Sequence, residues 1–550
     1  MWAIISFKTT EPSEILSLNF RLNEFRTLLT LNITTLMSNL HLKSQLLVIT
    51  LGLLIFNSCN TQVKSTEEKQ NILFIAVDDM NDWVGFLSGH SGMEIHTPNI
   101  DRLAASSMAF SNAHTPAPAC APTRVAILTG VHHARSGAEN VFWGDGPNWR
   151  KFEALKDVVT LEQFFKQHGY KTLGAGKIYH SQAPPWTPTS QIEPANWDFY
   201  YPSSYISHPY QIRAPEDVIY PEDVDNESRP GGDNSWWTWG PIPVPDEKMA
   251  DYHVADWASY QLTLKHDKPF FLAAGMWKPH DPWEVPQKYF DMYPLENIVL
   301  PECKEDDLED AFDHGRRFIQ KWVVDNDQWE KVVQSYAASI TFSDAMVGRL
   351  LDAFEKSEYA NNTIVVLWAD HGMHMGEKEN IEKFTLWERS TRVPLIISVP
   401  GMATAGTICE QPVSLMDLYP TLVDLTGFEK PSHLDGRSLL PQIENPGTET
   451  LPVISSYKFT YQDQRIIGHA VRSMRYRYIY YPDINLEELY DHENDPNEWD
   501  NIAYKVGNKG IIDNHRRVLL DMLPQMTWME GSPDGYSIDS DGNVHSNNYK

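Results

Sequence analysis

Cysteine is scarce in this chain: 550 residues carry only 4, namely Cys59, Cys120, Cys303 and Cys409. So few, so widely spaced, exclude a disulfide scaffold and a CxxC zinc site. Cys303 and Cys409 are left either to pair or to stay free. Positive charge is in deficit too, with 45 Lys and Arg against 74 Asp and Glu and a formal net charge of -29. A pI near 5.0 and the lack of any long Lys/Arg run exclude nucleic acid as a partner. An anionic substrate would have to be caught by cations gathered locally. Apolar runs are short, and none reaches the roughly 20 residues that a membrane-spanning helix needs. Internal repeats and low-complexity tracts are absent as well.

What the chain has is length and aromatic surface. Its 550 residues imply two or more packed units with ample core. Aromatics make up 12% with 18 Trp, many in loop-like stretches where flat ligands or sugars can stack. Near the start, "MSNLHLKSQLLVITLGLLIFNSCN" offers a start-competent Met37, a cationic Lys43, the 11-residue apolar run Leu46 to Phe56 and small residues before Cys59. This predicts a secretion signal, and "FNSC" resembles a bacterial lipoprotein processing site that would make Cys59 a lipid anchor to the membrane. Residues 1–59 are thus expected to be an over-called start plus a lipoprotein signal, which places the protein in the periplasm or at the cell surface. Residues 60–70 read as a polar tether.

Folding is expected to begin near Asn71. "NILFIAVDDM" is a continuous apolar run closed by two aspartates, as suits a strand buried on both faces whose carboxyl end opens onto a site. The strand-like "KTLGAGKI", "KPFFLAAGMW", "NNTIVVLWAD" and "VPLIISVPG" alternate with helix-like stretches such as "TLEQFFKQHGY". That alternation predicts an α/β fold with a doubly wound sheet flanked by helices. Residues 181–250, rich in Pro, Trp, Tyr and Asp, read as a long insertion outside the core. From about 451, "AVRSMRYRYIYYP" and "LEELYDHENDPNEWDNIA" predict antiparallel strands and a closing helix. The expected division is a catalytic domain over 71–450 and a smaller C-terminal α+β subdomain over 451–550.

Two acidic pairs close apolar runs, Asp78-Asp79 and Asp370-His371, and strand ends in open α/β sheets are where ligands bind. Adjacent buried carboxylates repel unless a cation neutralises them, and a divalent metal with oxygen ligands suits. Either pair alone has the plainer explanation of turn and cap formation. "CAPTRVAILTG", residues 120–130, adds a cysteine at the start of a helix-like run, where the plain reading is a buried residue at a helix N-terminus.

The pattern C-x-P-T-R followed by "LTG" resembles the signature of the formylglycine-dependent sulfatases, of the alkaline phosphatase-like superfamily. The likeness extends from "NILFIAVDDM" to "LEELYDHENDPNEWDNIA" and is nearest to the iduronate-2-sulfatase-like branch, through "GAGKIYH", "FFLAAGMWKPHDPW" and "DHGMHMGEKENIEKFTLWERSTRVPLI". It implies a mixed sheet of alkaline phosphatase type. It also implies that a maturation enzyme oxidises Cys120 to formylglycine; Thr123 stands where that signature more usually has Ser. By the same resemblance Asp78, Asp79, Asp370 and His371 are metal ligands, with the modified Cys120 supplying another oxygen. Calcium is the family's ion, and magnesium is compatible with the donor chemistry.

What the resemblance implies of mechanism follows from sulfate-ester cleavage. The metal polarises sulfate and acidifies one hydroxyl of the hydrated aldehyde, which attacks sulfur in line. A sugar alkoxide leaves poorly, so a general acid is required. His280 is the first candidate and His180 the second, the latter alternatively serving the diol. Lys177 and Lys383 match sulfate-gripping lysines, and Arg124 holds the formylglycine side. The expected substrate is a sulfated oligosaccharide or polysaccharide, either an iduronate or other uronate 2-sulfate or an algal polymer such as ulvan. Trp236, Trp237 and Trp239 are candidate sugar-stacking residues, with loop packing as the alternative. Two other functions fit the same residues: a phosphoester or phosphonate hydrolase, and a non-catalytic surface glycan-binding homologue.

Overall fold

The computed structural model describes residues 69–547 apart from 91, 139–147, 181–191, 202–237, 315–316, 403, 462–463 and 530. The expected signal, most of the tether, Trp236 and Trp237 lie outside the described residues. Eight strands make the main sheet: β1 (Asn71–Val77), β2 (Met108–Phe110), β3 (Lys171–Gly176), β4 (Phe199–Tyr201), β5 (Phe270–Met276), β6 (Thr363–Ala369), β7 (Leu395–Ser398) and β8 (Thr407–Cys409). Their spatial order is β8-β2-β7-β6-β1-β5-β3-β4. Every residue of β1, β5 and β6 is buried, which explains why these segments are unbroken apolar runs instead of alternating ones.

The four strands β6, β1, β5 and β3 are mutually parallel. β7 runs antiparallel to β6 and β2, so the sheet is mixed, as expected. Register aligns the carboxyl ends, with Val77 opposite both Met276 and Ala369, and Gly176 opposite Gly275. The residues that follow, Asp78, Trp277, Asp370 and Lys177, therefore emerge side by side. Two glycines permit this close approach. A Cβ on Gly176 would lie 2.0 Å from the Gly275 carbonyl oxygen, and one on Gly275 would lie 2.2 Å from the carbonyl oxygen of Lys177. Gly176 also has φ +71, a conformation that costs a side-chain-bearing residue energy.

The stretch read as an insertion outside the core requires correction. Phe199–Tyr201 forms the edge strand β4 beside β3, as three β-favouring aromatics at a sheet edge can. Trp239–Ile242 pairs in parallel with Trp283–Pro286. Trp239 is only 2% exposed, and its ring lies 6.0 Å from that of Trp322. It fills a packing gap and offers no face to a sugar. Cys303 and Cys409 are both free thiols, one exposed and one buried.

The C-terminal strands β9 (Val453–Tyr461), β10 (Gln464–Arg472), β11 (Tyr476–Tyr481) and β12 (Leu486–Asp491) form an antiparallel meander. A closing helix (Lys509–Met522) lays Ile512 and Leu519 on Ile454, Val471, Tyr478 and Leu489. The opposite face packs Phe459, Ile479 and Tyr481 against Leu308, Phe312, Leu386 and Trp387. Burying such large side chains contributes about 1.5–3 kcal/mol each. Two of the side chains on that face, Leu386 and Trp387, come from the segment that carries Lys383.

Candidate active site

Cys120 opens helix α1 (Cys120–Thr129), all of whose residues are buried. The N-cap Ala119 is extended and gives no side-chain cap. First-turn N–H groups are therefore left to face whatever lies beyond, an end of the helix that favours negative charge. Pro122 costs nothing there, because first-turn N–H groups lack helical partners anyway. Thr123, in place of the more usual Ser, keeps the hydroxyl function, and its Oγ1 lies 2.6 Å from Thr115 Oγ1. Burial pushes the Cys120 thiol well above its ordinary range, against the pull of Lys177 and Lys383. As a thiol this side chain is protonated and a poor nucleophile.

Around its Sγ lie His371 Nε2 at 3.2 Å, Lys383 Nζ at 3.6 Å and Asp79 Oδ1 at 3.8 Å. Asp78, Asp79 and Asp370 are wholly buried, each paired with a cation. Lys177 and Arg124 donate to Asp78. Lys383 Nζ sits 2.7 and 2.5 Å from the two oxygens of Asp79. Arg124 Nε donates to Asp370 Oδ2 at 2.8 Å, and its Nη1 also reaches the carbonyls of Lys177 and Ile178, at 2.5 and 3.2 Å. Arg124 thus ties together the ends of β1, β6 and β3. Its other neighbours leave its charge fixed: burial opposes ionisation, but Asp370 and Asp78 raise its pKa overall. Burial likewise opposes the ionisation of Asp370, yet Arg124 and His371 hold its carboxyl low.

The two imidazoles differ in setting. His280 follows a cis Lys278-Pro279 bond. Its Nδ1 lies 2.6 Å from the Asp281 carbonyl, so that nitrogen donates and Nε2 is turned toward Asp79 Oδ2, 3.9 Å away. Burial, then Lys383 and Lys177, press its pKa well down. His180 is half-buried, with its pKa lowered by burial and then by Lys177. Asp78, Lys383 and Arg124 act on it as well, so both imidazoles face one charged cluster.

Every residue singled out for catalysis or metal binding is brought into this cluster. Three further residues hold it and were not foreseen. Tyr336, on the helix Trp329–Glu355, donates to the Asp79 carbonyl at 2.7 Å and accepts the Asn81 N–H at 3.0 Å. It thereby pins Asp79 at φ +56, a left-handed conformation of the kind that collects at functional sites. Asp251, on the helix Ala250–Thr263, accepts the N–H groups of Trp277 and Lys278, both at 2.8 Å. Trp277 lies against His280 and Lys177.

The donor chemistry suits a divalent cation. Asp79, Cys120, Asp370 and His371 present ligand atoms all within 4.8 Å of one another, as do Asp78, Asp79, Cys120 and His280. Three carboxylates with one imidazole make a predominantly hard, oxygen-rich set.

Lysines, an arginine and a helix N-terminus gathered at the carboxyl ends of parallel strands make a site suited to an anionic group. The fold is shared with the phosphonate monoester hydrolase of Agrobacterium radiobacter, which superposes with a TM-score of 0.64 at 18% identity, covering 87% of this chain and 99% of that one. The chain belongs to the sulfatase family, which its residues 70–428 match. Residues 376–525 also match the C-terminal part of N-sulphoglucosamine sulphohydrolase. A sulfatase of Formosa agariphila is 35% identical over 486 residues, spanning 86% of this chain and 90% of its own. Human iduronate 2-sulfatase is 28% identical over 528 residues, spanning 80% and 90%. The protein is a hydrolase of sulfate esters.

Proposed function

We propose that the substrate is a sulfated carbohydrate, with an iduronate or other uronate 2-sulfate and ulvan as the sugars to test first. The observation that carries this reading is the convergence of Lys383, His371 and Asp79 on position 120 at the mouth of a buried helix. Support for the sugar comes from the iduronate 2-sulfatase relative.

Residue 120 acts as formylglycine, made from Cys120 by a maturation enzyme, and Asp78, Asp79, Asp370 and His371 would hold a divalent ion, calcium or alternatively magnesium. Such an ion would supply a Lewis acid for the sulfate oxygens and acidify the residue 120 hydroxyl. Lys177 and Lys383 hold the sulfate oxygens, where fixed charge counts most as negative charge develops. Arg124 keeps Asp78 and Asp370 in place. His280 gives a proton from Nε2 to the departing sugar oxygen as the imidazolium, its Nδ1–H held by the Asp281 carbonyl; burial and the Lys383 and Lys177 charges disfavour that form in the free site, and the negative charge of a bound sulfate ester favours it. His180 serves the residue 120 hydroxyls as base. We further propose that residues 1–59 are a signal ending in a lipid-bearing Cys59, that 60–70 form the tether, and that the protein is exported and anchored at a membrane. The division into a catalytic domain over 71–450 and a subdomain over 451–550 belongs to the same proposal. No helix among the described residues is long and apolar enough to cross a bilayer.

The test is peptide mass analysis of residue 120 from the native host, paired with release of sulfate from a panel of uronate 2-sulfates, ulvan oligosaccharides, aryl sulfates and aryl phosphonates. Aldehyde at 120 with turnover of sulfated sugars is expected. A retained thiol, or faster phosphonate cleavage, overturns the reading. Sugar binding without turnover by converted protein would instead make it a glycan-binding homologue.

A further inference from the structure

The loop that carries His280 is built around one indole. Trp277 is 1% exposed, and its ring centroid lies 4.3 Å from that of His280. The ammonium of Lys177, arriving from β3, sits 4.1 Å over the same ring, within the range of a cation–π contact. The indole Nε1 donates to the Asp281 carbonyl at 3.2 Å, the same oxygen that lies 2.6 Å from His280 Nδ1. One side chain therefore touches both functional groups and also holds the carbonyl that orients the imidazole.

The indole is itself fixed from behind. Asp251 is 3% exposed, and its two oxygens accept the Trp277 and Lys278 N–H groups at 2.8 Å each. A second indole, Trp283, donates to the Pro279 carbonyl at 2.8 Å, and Lys278 Nζ donates to the Pro282 carbonyl. Nothing in this turn is left to choose its own direction.

We propose that Trp277, braced by Asp251, is the positioning residue that sets the directions of His280 Nε2 and Lys177 Nζ together, coupling the proton donor to the sulfate grip. This rests on the roles given to His280 and Lys177 above. Two groups on neighbouring strand ends, set by a common plane, keep a fixed separation. A substrate must span that separation from sulfate to leaving oxygen. Misplacement of either group by about 1 Å costs on the order of 100-fold in rate.

The experiment compares wild type, Trp277→Phe and Asp251→Asn on aryl sulfates of graded leaving-group acidity and on a sulfated sugar, with His280→Ala as reference. Trp277→Phe keeps a ring under Lys177 but loses the bond to Asp281, so kcat on the sugar sulfate should fall about ten-fold and kcat on a nitrophenyl sulfate far less. KM should stay near wild type. Asp251→Asn should show the same skew more weakly, and it serves as the readout where Trp277→Phe fails to accumulate folded. Equal losses on every substrate in both variants, while His280→Ala is skewed, overturn the positioning role and leave Trp277 a packing residue. If His280→Ala itself shows no skew, the acid has been misassigned, and the coupling proposed through Trp277 falls with it.

Discussion

Two charge clusters in this molecule, one buried and one partly buried, look alike in composition and differ in use. One is the strand-end site around Cys120. The other lies under the C-terminal sheet, where Glu388, His492 and Glu498 also present ligand atoms within 4.8 Å of one another. In that second cluster Arg477, wholly buried, donates to both Glu388 and Glu498. Arg472 adds a bond to Glu388 at 3.2 Å, and the Glu388 N–H donates to Glu498 Oε2 at 2.8 Å. Its acceptors are taken by guanidinium groups, backbone and His492, whose Nε2 lies 2.9 Å from Glu498 Oε1, and among the described residues it has no counterpart of Cys120. At the active site two buried lysines, Lys177 and Lys383, join Arg124 around a modifiable residue at a helix end. Perturbed pKa values occur in both clusters, so perturbation alone does not mark a catalytic site; the strand-end position and the central residue do.

The largest expected effect that separates the two is on turnover. Cys120→Ala should abolish sulfate release while thermal stability and sugar binding stay near wild type, as checked by melting and by calorimetric titration. Turnover near the wild-type rate would remove residue 120 from the chemistry. Asp370→Asn comes next. It should lower divalent-ion affinity and activity together, as read by metal analysis after dialysis, and full activity after chelation would refute the metal role. For His280→Ala the loss on sugar sulfates should be about 100-fold or more, and much smaller on nitrophenyl sulfate, which needs no proton to leave. Equal loss on both would move the acid elsewhere.

How much of this contrast could be read without coordinates depends on where each signal lives. Asp78, Asp79 and Asp370 were legible because they close unbroken apolar runs, and a strand buried on both faces delivers its next residues at its carboxyl end; Lys177 was legible only through the family resemblance of "GAGKIYH". Cys120 was legible from its local sequence, and His280 from its place in the family-like stretch "FFLAAGMWKPHDPW". Asp251 and Tyr336 were not. Each is an ordinary residue in a helical pattern, and the groups they hold are 26 and 257 residues away. Trp239 misled for the opposite reason: a Trp among prolines and acids reads as surface, yet pairing of Trp239–Ile242 with Trp283–Pro286 buries it. The salt-bridge network under the C-terminal sheet was likewise invisible, since Glu388 and Arg477 meet only because β11 packs against the Lys383 segment.

Stability is where the second cluster should show itself. Replacing Arg477 with Met leaves Glu388 and Glu498 facing each other in the interior, and removing one partner of a buried pair typically costs about 3–5 kcal/mol. Unfolding by urea should register that loss, while kcat of the folded fraction on aryl sulfate stays within several-fold of wild type. A large fall in kcat with unchanged stability would make the network part of the catalytic machinery and erase the distinction.

The acid limb of the stability curve gives the smallest and sharpest test. Burial opposes the ionisation of Glu498, but Arg477 and His492 hold its carboxyl at about 2, against about 4.3 for an unfolded Glu. The folded value is the lower one, so the unfolded chain binds the proton more readily. The stabilisation is complete above about pH 4.3 and is lost as pH falls toward 2. In Arg477→Met the Arg477 part of the downward pull is gone and only that of His492 remains, so that variant should be less stable at neutral pH yet lose less of its stability between pH 4.3 and 2. Cys120→Ala touches none of these groups and should keep the wild-type slope. Parallel acid limbs in wild type and Arg477→Met would show that Glu498 is not held by Arg477, and that the network draws its stability from packing instead of charge.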